Sequence, residues 1–274
     1  MQPTYDGAVE TTICEKVNVQ RWCRIEYRNQ EYLGLDQNGQ IELYQGSMLG
    51  SKTATGTTVS AEQVNWLSPV EPLHFLALWN NFHERMQFEG TKHPGFPLYF
   101  TKLACSVAAH QHEIRRPGGF TGTVKFEAEI GIVIGRRCFQ VDEIDIDDYI
   151  FGYTCVNDVT APKELKENDE FHQWCRSKSM PGFGPIGPWI ATGINPDGLR
   201  VEAVLDGEKK QDYPVNDMIY SPREIVSKIA SEVELLPGDV IACGTSVGAD
   251  TMQPGQLIEV NIEGIGRLSN RYVG

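Results

Sequence analysis

Val124-Lys-Phe-Glu-Ala-Glu-Ile-Gly-Ile-Val-Ile-Gly135 is the most informative stretch of the sequence. Because side chains alternate across a strand, Glu127 and Glu129 are expected on one face of this segment. The opposite face would then carry Val124, Phe126, Ala128, Ile130, Ile132 and Ile134. From Gly131 onward both faces are apolar or glycine, which is typical of an inner strand that is covered on both sides.

The two glutamates of this strand predict a site for a divalent cation. Two carboxylates close together in a partly dry site repel each other, and one takes up a proton unless a cation is present. Asp158, which ends the β-prone run of residues 149–156, is the obvious third carboxylate. A solvated outer face for the glutamates and a cap or Asx turn for Asp158 are the structural alternatives. An all-oxygen site suits Mg²⁺, Mn²⁺ or Ca²⁺, whereas Zn²⁺ prefers nitrogen and sulfur ligands.

Most other signals along the chain predict strands. Asn38-Gly39 and Asp206-Gly207 each lie between two β-prone runs, which is typical of hairpins. Ser221-Pro-Arg-Glu224 predicts a helix with a capping box, and residues 60–67 predict a short helix capped by Ser60. Strands dominate and helices do not alternate regularly with them, so the sequence predicts a strand-dominated α+β fold.

A domain boundary is predicted at residues 68–72, where Pro69 and Pro72 cannot continue a helix or an inner strand. The sequence therefore divides into a small amino-terminal domain, residues 1–70, and a larger domain, residues 71–274. The larger domain contains all of the acidic residues of the predicted cation site.

Composition and charge exclude several classes of function. The 274 residues carry a formal net charge of −13, so the chain repels polyphosphate and nucleic acid is not expected as a partner. No apolar run reaches the ~18 residues that a membrane helix needs, and residues 1–7 have no secretory signal pattern. The 7 cysteines are scattered without a C-x-x-C pair. We interpret them as reduced thiols, which predicts a cytoplasmic protein.

Two glycine motifs resemble catalytic signatures but lack the required context. Residues 182–187 match G-x-G-x-x-G, but Pro185 and Pro188 interrupt the helix that a dinucleotide site needs. Residues 244–248 match the G-x-S-x-G of serine hydrolases. That fold needs a histidine after the serine, and all six histidines precede Ser246. We therefore expect turns at both places.

Taken together, several motifs resemble the fumarylacetoacetate hydrolase family, in its bacterial form with a small amino-terminal domain. They follow the family order at residues 126–135, 152–160, 176–179, 184–188, 206–211, 217–220, 236–241 and 244–248. The resemblance implies a mixed β-roll with a small amino-terminal α/β domain, assembled as a homodimer. It also implies activity on small anionic 2-oxo acids or β-diketo acids.

The resemblance implies a role for individual residues of the larger domain. Glu127, Glu129 and Asp158 would bind the metal, which would be Mg²⁺, or else Mn²⁺ or Ca²⁺. Lys178 would contact the oxyanion of the substrate. The turn of Gly244 and Thr245 would hold a substrate carboxylate.

A histidine paired with a glutamate activates water in this family. His83 matches the histidine, but Met86 stands where the glutamate is usual, so Glu84 or Glu89 would have to replace it. Residues 161–165 also depart from the family pattern for substrate contacts, which leaves the identity of the substrate open.

Three functions are compatible with this sequence. The first is a divalent-metal-dependent hydrolase that cleaves a C–C bond in an acylpyruvate or another diketo acid. The second is a 2-oxo acid decarboxylase or isomerase on the same site, of the oxaloacetate or 2-hydroxymuconate type. The third is a catalytically inactive binding protein of the same fold, against which the three acidic residues and Lys178 argue.

Overall fold

Strands form most of the regular structure in the computed structural model, which describes residues 19–274. Cys14 and the start of the chain, for which no secretory signal was found, lie outside the described residues. The strands are β1 (Gln20–Tyr27), β2 (Gln30–Gln37), β3 (Gln40–Gly46), β4 (Lys52–Ser60), β5 (Asn65–Leu67), β6 (Phe75–Trp79), β7 (Leu98–Lys102), β8 (Val107–Ala108), β9 (Val124–Lys125), β10 (Ala128–Ile134), β11 (Ile150–Asn157), β12 (Gly184–Thr192), β13 (Arg200–Leu205), β14 (Glu208–Pro214), β15 (Val240–Ala242), β16 (Thr251–Met252), β17 (Leu257–Ile262) and β18 (Gly266–Arg271). The helices are α1 (His83–Glu89), α2 (Pro162–Leu165), α3 (Trp174–Lys178) and α4 (Pro222–Ala230).

Two packed sheets confirm the strand-dominated α+β fold. The larger sheet has the order β4-β3-β2-β1-β12-β11-β10-β15-β6-β7, with β5 beside β1 and β8 beside β12. It is mixed, because β15 runs parallel to β6 while β10 and β11 are antiparallel. The smaller sheet has the order β14-β13-β17-β18, and the main hydrophobic core lies between it and strands β10 and β11.

The alternation predicted for residues 124–135 is present in the structure. All six apolar side chains of the predicted face lie in the main core, and Val133 lies in a second cluster on the other side of the sheet. The strand is not continuous, because β9 and β10 are separated by Phe126 and Glu127. Their backbone N–H groups donate to the Asp250 carbonyl and to the Asn157 side chain at 3.1 Å instead of to a neighbouring strand.

The amino-terminal strands extend the larger sheet, because β1 pairs with β12. The hairpin at Asn38-Gly39 is confirmed, and both turn residues have positive φ. The predicted helix over residues 60–67 is wrong. Ser60 caps only the 3₁₀ turn Ala61–Gln63, and the chain then forms β5, because Val64 and Trp66 pack beside β1.

The carboxyl-terminal half of the chain agrees with the sequence in most details. Asp206-Gly207 joins β13 to β14, and α4 begins with the predicted capping box of Ser221 and Glu224. Strand β12 begins at Gly184, where a dinucleotide site would require a helix. Within residues 19–274, none of the helices has both the length and the apolar character that a membrane span requires.

Candidate metal and substrate site

Three acidic side chains meet where β10 and β11 lie side by side. Glu127 and Glu129 flank the start of β10, and Asp158 follows the last residue of β11. The antiparallel register places Asn157 opposite Ala128, and the Asp158 N–H donates to the Glu127 carbonyl at 2.8 Å. All three side chains are buried, with one oxygen of each lying within 4.8 Å of the others. We call these residues the acidic triad.

Two buried lysines accompany the acidic triad. The Lys178 ammonium, at the end of α3, donates to Glu127 and to Asp158. The Lys102 ammonium, at the end of β7, donates to Asp158 Oδ1 at 2.7 Å and to the Lys178 carbonyl. Through these two contacts, Lys102 holds both Asp158 and the backbone of Lys178 in place. The family motif in the sequence indicated Lys178.

The charges of the acidic triad are unevenly compensated. Burial would raise the pKa of Asp158, but the ammonium groups of Lys102 and Lys178 outweigh burial and lower it. Burial raises the pKa of Glu129 well above its usual range, and the nearby Asp158 and Glu127 raise it further. Within the described residues 19–274, the Glu129 carboxylate has no ion pair, and it accepts one hydrogen bond, at 2.8 Å from the Gly244 N–H. A cation beside Glu129 would supply the missing compensation.

The acidic triad therefore fits a divalent metal ion. Its donors are all carboxylate oxygens, which Mg²⁺, Mn²⁺ and Ca²⁺ prefer. Glu127 and Glu129 line an inner chamber of about 80 Å³, together with Lys178 and Thr245. A chamber of this size has room for an ion and for the oxygen atoms of a small ligand.

The turn of residues 244–248 contributes Thr245 to the lining of the inner chamber. Gly244 has a φ of +91°, and a Cβ at this position would lie 3.2 Å from the Leu78 carbonyl oxygen. Glycine is therefore required where the backbone turns back to reach Glu129. The hydroxyl of Thr245 lies 2.9 Å from the side-chain nitrogen of Gln211. No helix follows Gly248, so the turn is not the nucleophile elbow of a serine hydrolase.

His83 and Glu84 do not line the inner chamber, although the sequence placed them in the catalytic machinery. His83 is half-buried at the start of α1, with its ring centroid 6.4 Å from that of His93. Glu84 is exposed and accepts a hydrogen bond from the Ser246 hydroxyl at 3.3 Å. The structure thus brings together Glu127, Glu129, Asp158, Lys178, Gly244 and Thr245, and it leaves His83 and Glu84 outside this group.

Arg85, which the sequence analysis did not single out, is the side chain of α1 that reaches the site. Its guanidinium lies 3.7 Å from Glu127 Oε1 and donates to Glu89 at 2.8 Å. Burial would lower the pKa of Arg85, but Glu127 and Glu89 outweigh it and raise the pKa, so this side chain is cationic. Only the orientation of α1 shows which side chain points inward, and the sequence contains no signal for it.

An outer cavity of about 780 Å³ adjoins the inner chamber and shares part of its lining. One wall is aromatic: Phe100 and Trp174 are stacked with ring centroids 5.0 Å apart, and Trp79 lies 6.0 Å from Trp174. Lys125 and Lys166 also line this cavity, and neither forms an ion pair within residues 19–274. The outer cavity therefore suits a flat organic group with negative charge.

Comparison with known proteins agrees with this geometry. The family described as fumarylacetoacetate (FAA) hydrolase C-terminal matches residues 59–273, and the family described as Rv2993c-like, N-terminal matches residues 20–69. Protein Rv2993c of Mycobacterium tuberculosis is 34% identical over 227 residues, which cover 82% of this chain and 84% of that protein.

Two solved structures show the same fold over nearly the whole chain. The 2-hydroxyhepta-2,4-diene-1,7-dioate isomerase from Mycobacterium marinum is 30% identical with a TM-score of 0.84, covering 93% of this chain and 98% of that one. The maleylpyruvate hydrolase from Sphingobium sp. SYK-6, solved with manganese(II) and pyruvate, is 21% identical with a TM-score of 0.76, covering 92% and 98%. On these matches and on the arrangement of its acidic triad, the chain belongs to the fumarylacetoacetate hydrolase family.

Proposed function

We propose that this chain is a divalent-metal-dependent hydrolase that cleaves a C–C bond in an acylpyruvate or a related diketo acid. The observation that carries the proposal is the cluster of three buried carboxylates, Glu127, Glu129 and Asp158, beside Lys178. A fold alone does not require three buried carboxylates at one point. The family match and the manganese in the maleylpyruvate hydrolase structure support the same interpretation.

The acidic triad would hold Mg²⁺, Mn²⁺ or Ca²⁺. When bound, the ion would polarise the 2-oxo group of the substrate and orient the neighbouring oxygen. Lys178 would stabilise the negative charge that develops on the enolate oxygen as the C–C bond breaks. Burial opposes the charged form of Lys178, but Asp158 and Glu127 raise its pKa, so the side chain stays an ammonium donor.

The carboxylate of the substrate would bind at the turn of residues 244–248. The Gly244 N–H already donates to Glu129, so Gly244 would act by positioning that ligand. Thr245 lines the inner chamber and would donate its hydroxyl proton to the carboxylate. Lys178 and Arg85 would offset the repulsion between an anionic substrate and a chain of net charge −13.

The outer cavity would hold the remainder of the substrate. Its volume of about 780 Å³ exceeds what pyruvate needs, and Phe100 and Trp174 offer a flat apolar wall. Lys125 and Lys166, which line this cavity, would bind a second carboxylate. We therefore propose a diketo acid with a conjugated body, rather than a three-carbon acid, as the substrate.

A substrate panel with chelation tests the proposal. Acetylpyruvate, fumarylpyruvate, maleylpyruvate and oxaloacetate would be incubated with protein treated with EDTA, and then with added Mg²⁺ or Mn²⁺. We expect no turnover after chelation, and release of pyruvate from the diketo acids once metal is returned. Turnover that is unaffected by EDTA would contradict the metal mechanism, and a panel left unchanged with metal would favour a binding protein without activity.

Decarboxylation or isomerisation of a 2-oxo acid is the second candidate, and the position of α1 favours it. Hydrolysis needs a base that activates water, and neither His83 nor Glu84 lines the inner chamber. Decarboxylation needs no attacking water. The substitution His83→Ala separates the two candidates, because a hydrolase that uses His83 as its base would lose hydrolysis of the diketo acids, whereas decarboxylation of oxaloacetate would be unchanged. Hydrolysis at the wild-type rate by this variant would remove His83 from the mechanism.

The oligomeric state and the cellular location of the protein are also proposed. We propose a homodimer because the resemblance to the family implies one. We propose a cytoplasmic location because the six cysteines within residues 19–274 are free thiols.

A further inference from the structure

We propose that Gln211 is a positioning residue that turns the hydroxyl of Thr245 into a hydrogen-bond donor aimed into the inner chamber. Gln211 lies in β14 of the smaller sheet, and its side chain is only 2% exposed. It connects the start of β10 with the turn of residues 244–248. The inference rests on the proposed function, because it assigns the carboxylate-binding role to Thr245.

The orientation of the Gln211 amide is fixed by its backbone partners. Its oxygen accepts from the Ala128 N–H at 3.1 Å. Its nitrogen lies 3.2 Å from the Ser246 carbonyl oxygen and 3.1 Å from that of Val247. A backbone N–H only donates and a carbonyl only accepts, so the flipped amide would lose all three hydrogen bonds. The amide nitrogen has two hydrogens for these two carbonyls and Thr245 Oγ1, and Oγ1 is the nearest of the three oxygens, so the nitrogen faces Thr245 as a donor.

The orientation of the Gln211 amide determines whether the Thr245 hydroxyl accepts or donates a hydrogen bond. The Gln211 nitrogen is 2.9 Å from Thr245 Oγ1, so this oxygen accepts and its own proton points elsewhere. The Tyr213 hydroxyl donates to the Ala128 carbonyl and lies 3.5 Å from Thr245 Oγ1, at the limit of a hydrogen bond. Within residues 19–274, the Tyr213 oxygen at this 3.5 Å distance is the only acceptor near the Thr245 proton, and a hydrogen bond of that length is weak. Because Thr245 lines the inner chamber, an anionic oxygen bound there would accept this proton in place of Tyr213.

The buried position of Gln211 keeps its side-chain amide directed at Thr245. Because Gln211 is buried away from bulk solvent, its amide donor remains directed at Oγ1. It also spans from Ala128, between the two glutamates of the acidic triad, to Val247. Thr245 is therefore held at a fixed distance from the strand that carries the metal ligands.

Binding of pyruvate to the Mn²⁺-loaded protein tests the inference by a double-mutant cycle. The variants are Gln211→Glu, Thr245→Val and the double variant, with pyruvate affinity measured by calorimetry. Glutamate keeps the acceptor for the Ala128 N–H but offers Thr245 an acceptor where the amide nitrogen was. We expect Gln211→Glu to weaken pyruvate binding about 10-fold to 100-fold in the wild-type background, the usual range for one hydrogen bond to a charged group. In the Thr245→Val background the same substitution should change the affinity little.

A merely structural role predicts a different result. If Gln211 only holds the turn together, the substitution weakens binding equally in both backgrounds, and this outcome overturns the inference. Gln211→Met serves as a second variant if Gln211→Glu does not fold, because methionine has a similar length and removes the donor. In both variants the effect should be found in the KM for the 2-oxo acid more than in kcat.

Neutron diffraction from deuterated crystals of the wild-type protein tests the inference without any ligand. We expect the deuterium on Thr245 Oγ1 to point into the inner chamber and the two deuterium atoms of the Gln211 amide to face the turn. A hydroxyl deuterium directed at Gln211 or at Tyr213 would overturn the inference. A wild-type protein that binds no pyruvate with Mn²⁺ would defeat the proposed function, while the neutron result would still decide the role of Gln211.

Discussion

Glu129→Gln is expected to weaken Mn²⁺ binding and to lower turnover of the diketo acid by at least about 100-fold, since even partners of metal ligands cost 10-fold to 100-fold when removed. The amide keeps an oxygen that accepts from the Gly244 N–H, so the turn of residues 244–248 should stay in place. What the variant loses is the negative charge that faces the inner chamber. Isothermal titration with Mn²⁺ and steady-state kinetics measure the two effects.

The stability of this variant gives a second readout. Burial raises the pKa of Glu129 well above its usual range, so the charged carboxylate is unfavourable when no cation is bound. In EDTA we therefore expect Glu129→Gln to unfold at a temperature no lower than that of the wild type. Glu164→Gln, which alters another buried glutamate, is the control and should leave Mn²⁺ affinity unchanged. Full Mn²⁺ affinity in Glu129→Gln would contradict the assignment of this residue as a ligand.

Lys178→Met is expected to destabilise the metal-free protein and to reduce turnover. The Lys178 ammonium is in contact with both Glu127 and Asp158, and its side chain is 4% exposed. Removing one partner of a buried ion pair typically costs about 3–5 kcal/mol, because the other charge stays buried. Turnover should fall about 100-fold or more, the usual effect of losing a donor to a developing oxyanion. Urea unfolding in EDTA and kinetics with Mn²⁺ measure these changes.

Added metal should recover part of the stability that Lys178→Met loses. A divalent cation binds the same carboxylates in the folded state only, so it stabilises that state. The control is Lys209→Met, which removes an exposed lysine paired with Glu202 and should change stability and turnover little. Equal unfolding curves for the two variants would contradict the role given to Lys178 in compensating the acidic triad.

Local pattern in the sequence was sufficient to predict the strand that carries the site. Alternation placed Glu127 and Glu129 on one face and the apolar residues in the core, as the structure confirms. The third carboxylate followed from position, because Asp158 ends a β-prone run that pairs with the same strand. Lys178 and Thr245 came only from the family motifs, since a lysine and a threonine in short segments have no periodic signal.

Contacts between distant segments account for what the sequence did not predict. The chain forms β5 where local propensity indicated a helix, because pairing with β1 buries Val64. The same holds for α1, whose packing directs Arg85 to the site, whereas His83 and Glu84 do not line the inner chamber. No local sequence pattern indicates which of several neighbouring side chains on one helix points toward the site.

Anomalous diffraction from crystals soaked with Mn²⁺ tests the metal site most directly. We predict one strong peak in the inner chamber, with an oxygen of Glu127, Glu129 and Asp158 each at about 2.0–2.6 Å from the ion. We also predict that the peak is lost from crystals of Glu129→Gln. A wild-type crystal in which manganese binds elsewhere, with the three carboxylates bonded only to lysines and water, would contradict the account.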